Sequence, residues 1–286
     1  MDPRARPFRS VLYIPASKAR ALEKARTLPA DAIIFDLEDA VAPEEKRAAR
    51  DLLAEALREG GYGARFLIVR VNGLDSEWGA DDVAAMRGVG ADAILLPKVE
   101  TTAQLDALGD AIPGVGLWAM IETPRGVLNA PALAAHPRVG GFVMGTNDLA
   151  KELGCRTRSD RLALIASLSQ CLLAARAHGI VAIDGVYNAF RHEEGLWAEC
   201  EQGRDLGFDG KSLIHPDQIA IANATFAPTS EEIELSRRQI AAFDEARKRG
   251  LGIAVVDGRI VENLHIVTAR KTLAKAAAIA QLEAVS

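Results

Sequence analysis

The sequence has little of what several classes of protein depend on. Aromatic side chains make up 5% of its 286 residues and the net charge is −5, so it lacks both the stacking side chains and the basic excess of a nucleic-acid-binding protein. The three cysteines form no CxxC pair and the five histidines are scattered, so neither a disulfide framework nor a zinc site is indicated.

Long apolar segments are also missing. No apolar run approaches the roughly 20 residues of a membrane span, and the basic N-terminus is followed by no signal-peptide core. Hydrophobic residues at 49% with charged residues at 26% are typical of a globular protein with a sizeable core. We therefore expect a cytoplasmic protein that binds neither membranes nor nucleic acid.

What the sequence does contain is a series of short, nearly continuous apolar runs, as expected of parallel strands buried on both faces. There are eight: 11–15, 32–39, 66–72, 93–99, 116–122, 141–148, 180–187 and 210–216. Helical patterns such as 43–60 and 159–179 lie between them, the latter with a Ser/Asp start and a Gly stop. The pattern predicts the α/β class, with a (β/α)₈ TIM barrel as a catalytic domain over residues 1–226.

The pattern changes after residue 226. A charged amphipathic helix is predicted over 229–250, a short hairpin around Asp257 and Gly258, and a last helix over 267–284. These elements fall outside the barrel, so we expect residues 227–286 to form a C-terminal extension that contains a lid and a helix.

Polar residues are concentrated where the apolar runs end, which is the catalytic face of such a barrel. They are Asp36, Glu38, Asp39, Arg70, Asn72, Lys98, Glu122, Asn147, Asp148, Asp184, Lys211 and His215. Each could instead be a loop residue that caps the following helix, an interpretation that suits Asp39, Asn147 and Asp184.

Glu122 is not well explained as a cap, because Thr123 and Pro124 provide a helix start of their own. Asp148 ends the next strand, so both carboxylates are expected in one mouth. Two close carboxylates repel each other unless a proton or cation lies between them. With only oxygen ligands nearby, the sequence predicts Mg²⁺ on Glu122 and Asp148, with Mn²⁺ as an alternative.

Arg70 ends the third run, where its guanidinium would bind a carboxylate through two hydrogen bonds. The alternative is an Arg70 paired with Asp36 or Glu38, and the two roles are compatible. A metal beside an arginine describes a site for a small 2-oxo or 2-hydroxy acid.

In the order and spacing of its motifs the chain resembles the citrate lyase beta-subunit-like proteins of the HpcH/HpaI aldolase superfamily. The motifs are RSVLYIPAS, ADAIIFDLEDAV, VRVN, ILLPKVE, MIETPRG, GTNDL, GFDGKSLIHPDQI and VVDGRIVE. The resemblance implies a Mg²⁺-dependent carbon–carbon lyase. Its substrate would be a short hydroxyacyl-CoA such as malyl-CoA, methylmalyl-CoA or citramalyl-CoA, and its products a 2-oxo acid and an acyl-CoA.

The resemblance also implies roles for particular residues. Glu122 and Asp148 match the metal ligands, so Glu122 also lies against the substrate. Arg70 matches the arginine that binds the substrate carboxylate. Glu38 and Asp39 match an acidic motif that supports the metal's waters, and Glu38 is expected to take part in catalysis. The N-terminal segment with Arg9 and Lys18, and the KSLIHP stretch, match the region that meets coenzyme A. No role is assigned to Lys98.

The C-terminal extension departs from the family pattern. In similar lyases a C-terminal lid covers a neighbouring subunit's site and carries an acid/base Asp, whereas this chain has Glu262 there, with Asp257 as a second candidate. A homo-oligomer, a trimer or hexamer, is therefore implied. Three alternatives stay open: a thioesterase on the same esters, an aldolase on free 2-oxo acids, and a non-catalytic subunit that binds CoA esters.

Overall fold

The computed structural model describes residues 6–284. The chain divides into two compact units, Phe8–Phe226 and a second unit formed mainly by the chain from Ala227 onward. Within the described residues, no helix has the length and apolarity that a membrane span requires.

Eight parallel strands close into a barrel in the first unit, in the order of the sequence, with β1 pairing with β8. They are β1 (Ser10–Pro15), β2 (Ala32–Asp36), β3 (Phe66–Arg70), β4 (Ala93–Leu96), β5 (Gly116–Ile121), β6 (Val139–Met144), β7 (Val181–Asp184) and β8 (Gly210–Leu213). Each of the eight apolar runs forms one strand, which confirms the (β/α)₈ TIM barrel.

Helices follow every strand of the barrel. They are α1 (Ala19–Ala25), α2 (Lys46–Glu59), α3 (Gly79–Ala85), α4 (Thr102–Ala111), α5 (Pro124–Ala134), α6 (Thr146–Leu153), α7 (Leu162–His178), α8 (Glu193–Leu206) and α9 (Ile219–Phe226). Helix α7 begins where the amide of Leu162 donates to Oδ1 of Asp160, and it ends at Gly179 with φ of 67°. This agrees with the predicted start and stop.

The amino end of the barrel is closed by aromatic rings. Phe8 lies 5.3 Å from Phe66 and 5.4 Å from Trp118 between ring centroids, and all three belong to one apolar cluster inside the barrel. Because this end is packed with apolar side chains, polar chemistry is left to the carboxyl ends of the strands.

Arg9 lies at this closed end and not at the mouth. It immediately precedes β1, and its Nε and Nη2 donate to the two carboxylate oxygens of Asp31 at 3.0 and 2.9 Å. Both side chains are buried. A bidentate buried pair leaves the guanidinium no route to a ligand at the opposite end, so the expected contact between Arg9 and coenzyme A is not supported.

The second unit contains the predicted elements. They are α10 (Ser230–Lys248), β9 (Ala254–Val256), β10 (Arg259–Val261) and α11 (Asn263–Ala284), around a small core that includes Phe243 and Ile266. Asp257 and Gly258 connect the two strands with φ of 51° and 75°, the signs that a type I′ hairpin turn requires. Helix α11 begins four residues before the predicted start.

Candidate active site

Seven charged residues gather at the carboxyl ends of β2 to β6, and we name them the mouth cluster. They are Asp36, Glu38, Asp39, Arg70, Lys98, Glu122 and Asp148. Five carboxylates therefore face two cations. Most of these side chains line a cavity of about 370 Å³ at the barrel mouth, together with Tyr13, Met120 and Gly145.

Glu122 follows β5 and does not cap a helix. Thr123 caps α5 instead, since its Oγ1 accepts from the amide of Gly126 at 3.0 Å, as the sequence predicts. Oε1 of Glu122 accepts from the backbone amide of Lys98 at 2.8 Å. A β-carbon at Gly145 would collide with Glu122, so glycine is required there for the carboxylate to occupy this position.

Asp148 lies in the first turn of α6 and lines the same cavity as Glu122. Among residues 6–284, no group donates a hydrogen bond to Oε2 of Glu122 or to the carboxylate of Asp148. No three acidic, histidine or cysteine side chains of the described residues converge into a closed metal cage. Two carboxylates with uncommitted oxygens fit Mg²⁺, which binds one or two protein carboxylates and keeps waters or ligand oxygens elsewhere.

Arg70 is held by its neighbours more tightly than the sequence suggests. Its Nε and Nη2 donate to both oxygens of Asp36, with Nε to Oδ1 at 2.7 Å and Nη2 to Oδ2 at 2.6 Å. Its guanidinium lies over the ring of Tyr13, 5.0 Å from the centroid, and Nη1 contacts Sδ of Met120 at 3.7 Å. Both expected roles remain compatible, because Arg70 also lines the cavity.

The pairing of Asp36 with Arg70 was the alternative that the sequence offered, but a second role of Asp36 was missed. Besides holding Arg70, its carboxylate accepts from the amides of Glu38 and Ala40 at 2.9 and 3.1 Å. It therefore fixes both the guanidinium and the acidic loop after β2. Its position at the end of an apolar run is the only sequence signal for this, and that signal does not distinguish it from its neighbours.

The excess of carboxylates perturbs the acids of the mouth cluster. Oε2 of Glu38 lies 2.7 Å from Nη1 of Arg70, yet no N–H points at it with hydrogen-bond geometry. Burial raises the pKa of Glu38, although the charge of Arg70 opposes the rise. Burial, together with the charge of Glu38, raises the pKa of Glu122 to about 7. A cation beside Glu122 would favour its charged form.

A larger cleft of about 990 Å³ adjoins the mouth, and Asp39 lines both spaces. Acids dominate its lining: Glu38, Asp39, Asp75, Glu100 and Glu152. One of its two lysines, Lys46, is already bound to Leu37, Glu38 and Asn72. This cleft is therefore electronegative.

The loops after β1 and β8 differ from that cleft. Lys18 is 60% exposed and 3.7 Å from Glu45, so its ammonium is available to a ligand. Near the end of β8 the ring of His215 stacks on Phe190 at 4.7 Å, and the guanidinium of Arg191 lies over Phe190 at 5.3 Å. These cations and aromatic rings belong to the loops after β1, β7 and β8.

A second group of charged residues lies around Asp184 at the end of β7, and we name it the Asp184 cluster: Arg161, Asp184, Glu199 and Lys211. Asp184 accepts from Arg161 at 2.7 Å and from Lys211 at 3.1 Å, and Lys211 also donates to Glu199 at 2.7 Å. Burial opposes the charge of Asp184, but both cations lower its pKa below the ordinary value. Asp184 therefore does not cap a helix, and Lys211 of the KSLIHP stretch is buried away from any ligand.

Glu262 belongs to the second unit. Its side chain is exposed, its amide donates to Nδ1 of His265 at 3.0 Å, and its carbonyl accepts from the amide of that residue, which explains the early start of α11. Asp257 is paired with Arg238 at 2.6 Å in the hairpin turn. The acid/base role of Glu262 stays a prediction.

Comparisons with known proteins show which family the chain belongs to. Residues 9–216 match the profile of the HpcH/HpaI aldolase/citrate lyase family. The chain belongs to this family. It is 66% identical to a (3S)-malyl-CoA thioesterase of Cereibacter sphaeroides over 284 residues, which is 99% of this chain and 100% of that protein. It is 37% identical to the citrate lyase subunit beta of Escherichia coli over 285 residues, covering 96% and 94% of the two chains.

A solved structure of the family extends the comparison. The CitE protein of Mycobacterium tuberculosis, in complex with magnesium, acetoacetate and coenzyme A, matches with a TM-score of 0.80 at 30% identity, covering 96% of this chain and 99% of that one. This family member thus binds a magnesium ion, a small oxo acid and coenzyme A. The relatives carry both hydrolase and lyase names.

Proposed function

We propose that this chain is a Mg²⁺-dependent enzyme of CoA-ester metabolism, and that it hydrolyses the thioester of (3S)-malyl-CoA or a closely similar ester. The observation that carries the proposal is full-length identity of 66% to a (3S)-malyl-CoA thioesterase, combined with a mouth cluster in which acids outnumber cations. At this identity the reaction of the relative is favoured over that of the citrate lyase subunit, at 37%.

The carboxylates of Glu122 and Asp148 would hold the metal, with Mg²⁺ first and Mn²⁺ as an alternative. When bound, the ion supplies Lewis-acid polarisation of a ligand oxygen. Glu122 is positioned for this by the amide of Lys98 and by the space that Gly145 leaves. Asp148 is positioned by the first turn of α6.

Arg70 would orient the carboxylate of the hydroxy acid. Asp36 and Tyr13 hold its guanidinium in place, and Arg70 lines the mouth cavity. A cation that is already fixed loses little entropy when it binds a ligand, which favours binding in a defined orientation.

Two carboxylates are proposed for proton transfer. Hydrolysis forms a bond from water oxygen to the thioester carbon and breaks the carbon–sulfur bond, so a base must take a proton from the water. Glu38 suits this role, because burial raises its pKa and it lies at the mouth. Glu262 of a second copy would act as the acid that protonates the leaving sulfur, which would make the enzyme a homo-oligomer.

The second unit offers support for an oligomer. Several apolar side chains of its hairpin region and of α11 are about half exposed or more: Leu251, Ile253, Val255, Ile260 and Leu264. Such exposure in one region is typical of interaction surfaces. A trimer or hexamer is the proposed assembly.

Coenzyme A would approach over the loops after β1 and β8. Its phosphates are anionic, so the electronegative cleft beside α4 disfavours them. Lys18 offers a cation to the phosphates, while Phe190 and His215 offer rings to the adenine.

Carbon–carbon cleavage is the second candidate, favoured by the citrate lyase subunit among the relatives. The same metal and arginine would stabilise a 2-oxo acid product. An aldolase on free 2-oxo acids would need no coenzyme A, and a binding subunit would turn nothing over.

Incubating the protein with (3S)-malyl-CoA and Mg²⁺ distinguishes these candidates when free thiol and 2-oxo acid are followed separately. The proposal predicts thiol without 2-oxo acid. Release of 2-oxo acid without thiol would establish a lyase, and neither product with the ester bound would indicate a binding subunit. Methylmalyl-CoA and citramalyl-CoA, assayed in parallel, determine the substrate preference.

A further inference from the structure

Lys98 has an unusual backbone conformation. It follows β4, and its φ of 50° lies in the left-handed region, which only two other non-glycine residues of the described chain adopt. Glycine adopts this region without the steric cost that a β-carbon brings. Strain of this kind persists where the surroundings enforce it, and it is concentrated at functional sites.

The backbone contact does not explain why lysine stands there. The amide of Lys98 donates to Oε1 of Glu122 at 2.8 Å, and a glycine amide would make the same hydrogen bond with less strain. The reason for a lysine must therefore lie in its side chain.

The side chain of Lys98 carries the more accessible of the two cations in the mouth cluster. Nζ of Lys98 lies 3.5 Å from Oε1 of Glu38, a long contact, and the side chain is 49% exposed. Arg70, by contrast, is 7% exposed and bound by both oxygens of Asp36. An anionic group that enters the mouth can reach the ammonium without displacing a short ion pair.

Its position relative to the two cavities is suited to a ligand contact. Lys98 lines the larger cleft, which shares Asp39 with the mouth cavity, and Glu38 beside it contacts both cations. We propose that Lys98 is a substrate-binding residue whose ammonium contacts a carboxylate oxygen of the hydroxy-acid part of the ligand. This assignment rests on the proposed function for the identity of that ligand.

Glycine and arginine variants separate the role of the Lys98 backbone from that of its side chain. Lys98→Gly keeps the amide and relieves the backbone, whereas Lys98→Arg keeps the charge. Lys151→Gln, which removes an exposed lysine from α6, is the matched control for net charge. The probes are Mg²⁺ alone and free malate added to the Mg²⁺-saturated protein, both measured by calorimetry.

We expect Lys98→Gly to bind malate about 10-fold more weakly or worse, since a charge-assisted hydrogen bond is lost. Its melting temperature and its Mg²⁺ affinity should not fall. Lys98→Arg should keep most of the malate affinity, and Lys151→Gln all of it. Unchanged malate binding by Lys98→Gly would overturn the proposal, and so would an equal loss of Mg²⁺ affinity, which would mean that Lys98 only positions Glu122.

Malate binding and thiol release together test the proposed function separately from the role of Lys98. Malate binding that depends on Lys98, in a protein that releases no thiol from (3S)-malyl-CoA, supports the role of Lys98 and contradicts the thioesterase. Thiol release with malate binding that is independent of Lys98 gives the opposite result. A wild-type protein that binds no malate in the presence of Mg²⁺ overturns the role of Lys98 directly.

Discussion

The barrel contains two clusters of charge, one at its mouth and one around Asp184 at the end of β7, and they differ in balance. The Asp184 cluster has two acids and two cations in short contact, and the cations lower the pKa of Asp184. The mouth cluster has five acids and two cations, and the pKa of Glu122 rises to about 7. A balanced buried cluster holds the structure, whereas an unbalanced one at a cavity is suited to bind a cation.

The largest effect is expected when a carboxylate of the unbalanced mouth cluster is removed. Glu122→Gln should lower the rate of thiol release from (3S)-malyl-CoA by about 100-fold or more, because it removes a metal ligand and with it the Lewis acid. Steady-state kinetics with saturating Mg²⁺ would measure the loss. Glu199→Gln makes the same chemical change in the Asp184 cluster and should keep the rate within about twofold. Equal losses of rate in both variants would mean that the two clusters do not differ in function.

Stability should respond in the opposite way. Asp184→Asn leaves the buried Lys211 and Arg161 without their shared counter-charge, so it should lower the free energy of unfolding by about 3–5 kcal/mol. Urea unfolding would measure it. Asp148→Asn relieves repulsion in the mouth cluster and should change stability by less than about 0.5 kcal/mol without metal. A loss for Asp148→Asn as large as that for Asp184→Asn would contradict the comparison.

The two clusters should also limit stability at opposite ends of the pH range. Between its ordinary pKa of 4.5 and about 7, the folded protein keeps a proton on Glu122 that the unfolded chain has released, so metal-free stability falls as the pH rises through this window. The expected loss is on the order of 3 kcal/mol. The pKa of Asp184 is lowered in the folded protein, so its effect on stability has the opposite pH dependence. Its contribution to stability is lost as the pH falls below 3.8.

Thermal unfolding of the metal-free protein from pH 4.5 to 8.5 measures the contribution of Glu122. Glu122→Gln should flatten the decline. A wild-type profile that rises over this range, or a variant that keeps the wild-type decline, would count against an unbalanced mouth cluster.

The smallest expected effect concerns the division of labour between Glu122 and Thr123. Thr123→Ala should cost about 1 kcal/mol of stability, because α5 loses its N-cap. Mg²⁺ binding should persist, since Glu122 does not cap the helix. Loss of Mg²⁺ binding in this variant, measured by calorimetry, would show that the cap also positions the carboxylate.

Much of the fold could be predicted because it is local. The apolar runs fixed eight strands, and Thr123 with Pro124 and Asp257 with Gly258 marked a helix start and a turn. At the mouth, Glu122 and Asp148 were predictable since parallel neighbouring strands end together. Metal binding by these two residues stays a proposal.

What could not be predicted depends on contacts across the barrel. The Asp184 cluster draws side chains from β7, β8, α8 and the loop before α7, and no spacing in the sequence brings these together. Arg9 was assigned to coenzyme A by resemblance alone, although its place before β1 already indicates the closed end of the barrel. The strained backbone of Lys98 has no sequence signal, because lysine is rare in that conformation.

The most direct test of the account is a calorimetric titration of Mg²⁺ into the wild-type protein, Glu122→Gln and Glu199→Gln at pH 8. We expect one ion per chain in the wild type, none in Glu122→Gln and an unchanged ion in Glu199→Gln. A wild type that binds no Mg²⁺, or binding that survives Glu122→Gln and disappears in Glu199→Gln, would contradict the claim that the mouth cluster is the metal site.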